Sequence, residues 1–293
     1  TNTAPDENYS RELQELFTLG KGPESKYTEA DVIEAAKILT GWRINKRNGE
    51  VFFVSNRHDT TDKTFSAFYG HTVVYGKTGI AGEEELDDLL TMIFRQNEVA
   101  NFMVRKLYRW FVYYDIDEAT EENVIKPLAE IFRNNSYEIK PVLEALFKSE
   151  HFFDLANRGA LIKSPVDFLV GVNRLYKLEY PQASDYNALY GAWGVNVSLL
   201  SVLQQDIGDP PSVAGWAAYY QIPQYHQLWI NSDTLPKRNQ ITDILVVSGY
   251  RAGSDRLQIN PLTFAEKFSR VANPSDFIDD LVQHMFTLDV STE

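Results

Sequence analysis

Apolar residues recur along most of this chain at spacings of three and four, the period of a helix with one face turned inward. Between Ser10 and Leu19, the residues Leu13, Leu16 and Phe17 fall on one face and Asn8, Arg11, Glu12 and Glu15 on another, which predicts an amphipathic helix. Thr28 followed by Asp31 reads as a capping box, and Val32, Ala35, Ala36 and Leu39 carry helical spacing on to Gly41. Later stripes are Leu86, Leu89, Leu90 and Ile93, then Val99, Met103, Leu107, Trp110 and Tyr114. Further helices are predicted over Glu121 to Asn134 and Ile139 to Lys148. Ser164-Pro165-Val166-Asp167 sets a capping Ser, a first-turn Pro and an early acid in order; Asn260-Pro261 and Asn273-Pro274 repeat the device. Asp185 to Gln205 is helical in pattern, and Gly191 and Gly194 predict a break near Trp193.

The period changes at two places. Trp42 to Ile44 and Glu50 to Val54 flank Lys46-Arg47-Asn48-Gly49, and the Asn-Gly pair suits the positive φ of a tight turn, so a small β-hairpin is expected there. From Asp206 to Asn239, helical periodicity gives way to prolines, glycines and aromatics, the composition of a long ordered loop. With no internal repeat and no low-complexity linker, the reading is a single mainly α domain over residues 1–293, an irregular multi-helix bundle with one hairpin and long ordered loops.

Composition narrows the chemistry. A net charge of -13, with no basic run beyond pieces such as Lys46-Arg47, argues against nucleic acid as a partner. The absence of cysteine removes disulfides, thiolate metal sites and cysteine nucleophiles. No apolar run approaches the roughly 18 residues that span a bilayer. Nucleotide-binding glycine loops and the Gly-x-Ser-x-Gly elbow are missing too, and no cofactor is implied.

Three groups remain as candidate sites, each with a structural reading beside the functional one. Arg11, Glu12 and Glu15 share a helix face, where they could position a ligand or form an ion-pair network with Arg11 and Glu15 at i and i+4. His58, Asp59 and Lys63, near Asp62 and His71, set an imidazole beside carboxylates; they could serve metal-assisted hydrolysis or simply stabilise a turn, and the spacing lacks His-x-x-x-His. In the loop, Trp216, Tyr219, Tyr220 and Trp229 could grip a sugar or a protein, or could pin the loop to the helices; Arg238 and Asn239 could point polar groups at the same ligand or satisfy the loop's carbonyls.

Several strings together resemble a bacterial family, domain of unknown function 1800: ENYSRELQELFTLG (Glu7 to Gly20), YTEADVIEAAKILTGW (Tyr27 to Trp42), RHDTTDKTF (Arg57 to Phe65), IKSPVDFLVG (Ile162 to Gly171), then PPSVAGW and LWINSDTLPKRN. One departure is Gln96-Asn97-Glu98 where a His-Pro pair is common. The resemblance implies a periplasmic, envelope-associated or extracellular protein, with a sulfatase-like protein of domain of unknown function family 1501 as a candidate partner. It also implies that this chain covers the family's central and C-terminal part and lacks a helical region ahead of Glu7, while Val290-Ser291-Thr292-Glu293, a Ser or Thr followed by an acid, reads as the opening of a further helix, so that a cut at both ends is expected. The expected function is a noncatalytic binding or accessory domain that contacts a protein or envelope glycan through the aromatic loop. The alternative is a metal-assisted or carbohydrate-processing hydrolase centred on His58.

Overall fold

The computed structural model describes residues 4–253 and 255–288, and the expected helix start at residues 290–293 lies outside them. Helices dominate, and the chain divides into two compact units: Thr1–Arg109 with Ile116–Ser149, and Trp110–Asp115 with Glu150–Glu293.

The first unit opens with α1 (Glu7–Glu12), capped by the Asp6 carboxylate, which accepts the Asn8 N–H at 3.0 Å. It continues directly into a π-helical stretch, Leu13–Thr18, and packs against α2 (Glu29–Ile38). The inward face differs from the one expected: Ser10, Gln14 and Thr18 are buried while Phe17 is exposed. The buried polar groups are satisfied. Ser10 Oγ donates to the Val32 carbonyl at 2.7 Å, and Gln14 Oε1 accepts from the Tyr69 hydroxyl at 2.6 Å, so a small polar stripe rather than an apolar one faces the neighbouring helix. Burial pushes the Tyr69 phenol above its ordinary pKa.

The capping box at Thr28 and Asp31 forms as the spacing predicted. So does the hairpin of β1 (Trp42–Ile44) and β2 (Val51–Phe53), which pairs Trp42 with Phe53 and Ile44 with Val51. A second antiparallel ribbon, β3 (Lys63–Thr64) with β4 (Val73–Val74), was not anticipated, because two-residue strands hold no readable alternation. Helices α3 (Glu85–Phe94), α4 (Asn97–Phe111), α5 (Glu118–Thr120), α6 (Lys126–Asn134) and α7 (Ile139–Lys148) follow, with a π-helical stretch at Glu121–Ile125 joining α5 to α6. Leu19, Ile38, Phe65, Leu89 and Ile93 lie at the centre of the core. Arg105 of α4 ties Glu98 (2.6 Å) to Glu121, where it makes a two-point contact at 2.6 and 2.9 Å.

In the second unit, Ser164 caps α8 (Pro165–Leu175) by accepting the Asp167 N–H at 3.1 Å. Helix α9 (Tyr186–Val202) runs unbroken through Gly191 and Gly194, contrary to the expected break. The glycine penalty of about 1 kcal/mol each is outweighed by burial of Ala188, Ala192, Leu199 and Leu200 on the inner face. The outer face carries Tyr186, Tyr190, Trp193 and Val197, an exposed apolar stripe at helical spacing. Helix α10 (Thr234–Val247) supplies Ile241 and Leu245 to a core shared with Leu169, Leu200, Leu203 and Ile259. A third ribbon, also unanticipated, β5 (Tyr250–Ala252) with β6 (Asp255–Leu257), precedes α11 (Pro261–Ala265) and α12 (Pro274–Met285), whose Asn260 and Asn273 caps were legible. Among the described residues, no helix is long and apolar enough to cross a membrane.

Candidate functional site

The N-terminal charged group disperses on folding. Arg11 makes a two-point contact with Glu29 at 2.6 and 2.7 Å rather than pairing with Glu15, whose own partner is Lys21 at 3.1 Å; Glu12 is half-buried. The i and i+4 pair fails because α2 presents a carboxylate in better geometry for the guanidinium fork. The Glu29 hydrogen bond raises the Arg11 pKa, and Arg11 in turn lowers that of Glu29.

The His58 group is brought together, but inside the unit. His58 is 3% exposed and Lys63 and Glu85 are 0% exposed. Lys63 Nζ donates to Glu85 Oε2 and to the Asp59 carbonyl, both at 2.6 Å, and lies 4.0 Å from Asp59 Oδ1. Glu85 Oε1 accepts the Lys77 N–H at 2.6 Å and lies 3.1 Å from His58 Nε2, without the alignment of a hydrogen bond. The other ring nitrogen, Nδ1, faces the Thr40 carbonyl at 3.0 Å, and Thr40 Oγ1 accepts the Asp59 N–H at 2.7 Å. Close approach is needed: a Cβ on Gly82 would come 2.6 Å from the imidazole. Burial raises the Asp59 pKa, but hydrogen bonds from the Thr61 hydroxyl and backbone, helped by Lys63, outweigh it and hold the carboxyl below its ordinary value. Asp62 accepts the Gly76 N–H at 2.9 Å, and His71 is exposed. Among the described residues, no three His, Asp or Glu gather as metal ligands would. The Lys63–Glu85 ion pair and the hydrogen bonds around it hold the loop of residues 58–63 against the first turn of α3.

In the second unit, residues 206–239 fold through two 3₁₀ turns, Ala217–Tyr219 and Tyr225–Trp229. Tyr219 is the hub: its ring centroid lies 5.0 Å from Trp110, 5.3 Å from Trp229 and 6.4 Å from Trp216. Its hydroxyl accepts from Gln205 Nε2 at 3.0 Å, and Gln205 Oε1 accepts the Val166 N–H at 3.0 Å, so one buried amide fastens the loop to the start of α8. His226, also buried, accepts the Ile162 N–H on Nδ1 at 3.0 Å. Its ring proton therefore sits on Nε2, which has no acceptor among the described residues, and burial holds its pKa below that of a free imidazole. Arg238 Nη2 donates to the Lys163 carbonyl at 2.9 Å while the guanidinium covers the Phe168 ring at 5.0 Å. Arg238 thus satisfies a carbonyl ahead of α8, not one in the loop as expected. Asn239 is exposed, and its backbone carbonyl accepts from Thr242. Trp229 is buried, Trp216 and Tyr219 are half-buried, and Tyr220 is 46% exposed.

Glu85, Gln205 and His226 escaped the sequence reading. Only Glu85 left a trace, an acid in phase with Leu89, Met92 and Ile93 on the buried stripe of α3.

No curated protein and no solved structure matches the chain. The family model described as "Protein of unknown function (DUF1800)" matches residues 1–293, and the chain belongs to that family.

Proposed function

We propose that this chain is a noncatalytic binding domain that docks a protein partner through the loop of residues 206–239. The carrying observation is that Tyr225, His226, Trp229 and Arg238 pin the loop from behind, while Val213, Tyr220 and Ile222 stay in solvent and Trp216 is only half covered. Exposed aromatics on a fixed backbone lose little entropy on binding, and Tyr and Trp dominate binding hot spots. The exposed Tyr186, Tyr190 and Trp193 of α9 support the same reading. Hydrolysis centred on His58 fits less well, since the imidazole is buried and both its nitrogens already face oxygens.

The family resemblance supports an exported, envelope-associated setting and nominates the sulfatase-like family 1501 protein as the first partner to try. Capture of that protein by the purified chain should weaken at least about tenfold in Trp216→Ala or Tyr220→Ala. Undiminished capture by both variants would remove the loop as the contact, and binding of an envelope glycan in place of the protein would change the ligand class.

A further inference from the structure

In the first unit, α1, α2, α3 and the β1–β2 hairpin enclose a cleft of about 840 Å³, within the range of roughly 300–1,000 Å³ usual for small-molecule sites. Its walls are aliphatic and aromatic. Ala36 and Gly41 are buried, Leu13, Leu39, Leu86 and Leu90 half-buried, and Tyr9, Ile44 and Val51 exposed. Thr40, which holds His58 through its carbonyl, also contributes to the wall, so the buried Lys63–Glu85 pair backs this cleft without entering it.

Among the described residues, three charged ones line it: Asp6, Arg43 and Lys46. Asp6 is engaged as the cap of α1. Arg43 and Lys46 form no ion pair among the described residues, in a chain whose net charge is -13. Two residues of the lining, Trp42 and Arg43, each carry a buried donor, Nε1–H and Nε–H, that meets no acceptor among the described residues. Buried donors are nearly always satisfied, and a half-buried guanidinium without a carboxylate is a ready partner for an anionic oxygen.

We propose that this cleft binds an amphiphile with a single anionic head, a carboxylate or a phosphate, on an unbranched hydrocarbon chain. The head meets the Arg43 guanidinium, with Lys46 as a second cation in the same lining. The chain lies along Leu13, Leu39, Leu86, Leu90 and Ile44. The site is separate from the aromatic loop, and neither reading depends on the other.

Isothermal titration of the purified chain tests this with dodecanoate, dodecyl phosphate, 1-dodecanol and acetate. Dodecanoate or dodecyl phosphate should bind one per chain, with the tighter of the two fixing the head group, and shortening the chain should weaken binding by up to about fourfold per methylene. Arg43→Gln should weaken the anionic ligand about tenfold or more and leave 1-dodecanol unchanged. Ile44→Asp, at an exposed position, should weaken both while the thermal midpoint stays put. Acetate should not bind. Failure of both anionic amphiphiles to bind, or affinities indifferent to Arg43→Gln or to Ile44→Asp, would overturn the proposal.

Discussion

The two units solve the same problem, fixing an irregular segment onto helices, with opposite chemistry. In the first, residues 58–63 are held by a lysine and a glutamate sealed from solvent beside an imidazole. In the second, the much longer stretch of residues 206–239 is held by ring-on-ring packing around Tyr219 and by neutral amide and imidazole contacts from Gln205 and His226. A buried ion pair is all-or-none, because removing one partner strands the other charge in a low dielectric. A ring cluster is graded, since each ring contributes its own area and the exposed ones contribute little.

The largest effect should come from splitting the ion pair. Lys63→Ala or Glu85→Ala is expected to destabilise the first unit by about 3–5 kcal/mol, whereas the paired change Lys63→Met with Glu85→Leu should recover much of that loss. Chemical denaturation of singles and double checks this, and a double variant no better than the singles would show that the charges are not coupled. Next, Gly82→Ala forces a methyl against the His58 ring and should cost about 1–3 kcal/mol, read as a lowered thermal midpoint. Gln205→Ala orphans the Val166 N–H and should cost a similar 1–3 kcal/mol, localised by hydrogen exchange to the start of α8 and to residues 216–229.

Acid should separate the units. His226 and Asp59 both have folded pKa values below their ordinary ones, so in each case the unfolded chain binds the proton more readily, and stability falls as pH drops from the unfolded value toward the folded one. For His226 that decline begins near pH 6.5, and for Asp59 only near pH 4. Hydrogen exchange corrected for intrinsic rates should therefore show the second unit loosening first, and His226→Phe should flatten its response between pH 7 and 5. The smallest effect belongs to Tyr220→Ala, within about 0.5 kcal/mol of wild type, because its ring lies at the surface. A larger loss would move Tyr220 into the clamp and weaken the case for a docking surface.

What the sequence disclosed follows the range of the interactions involved. Caps at Thr28, Ser164, Asn260 and Asn273 are made within three residues, so their chemistry can be read off adjacent letters. The Asn48-Gly49 turn is equally local. The face of the first helix was misassigned because Gln14 becomes an inward residue only through Tyr69, 55 positions away. The candidate site was half legible: His58, Asp59 and Lys63 stand close together in the chain, but the carboxylate that completes them lies 22 positions beyond Lys63. In the loop, aromatic density marked the segment, while its fastening depends on Gln205 and Lys163, residues with no distinguishing neighbours. Arg43 drew no notice for a related reason, since an arginine on a short strand looks like solvent-facing charge until its buried Nε–H, without an acceptor among the described residues, is seen.

Asp31 carries a consequence of its own. The carboxylate that closes the Thr28 box also accepts the Ser66 N–H and hydroxyl, each at 2.7 Å. A two-residue ribbon such as β3–β4 cannot persist alone in water. Through Ser66, which lies between the two strands, the ribbon is tied to the first turn of α2 across 35 residues, and the amides of both should exchange with solvent together.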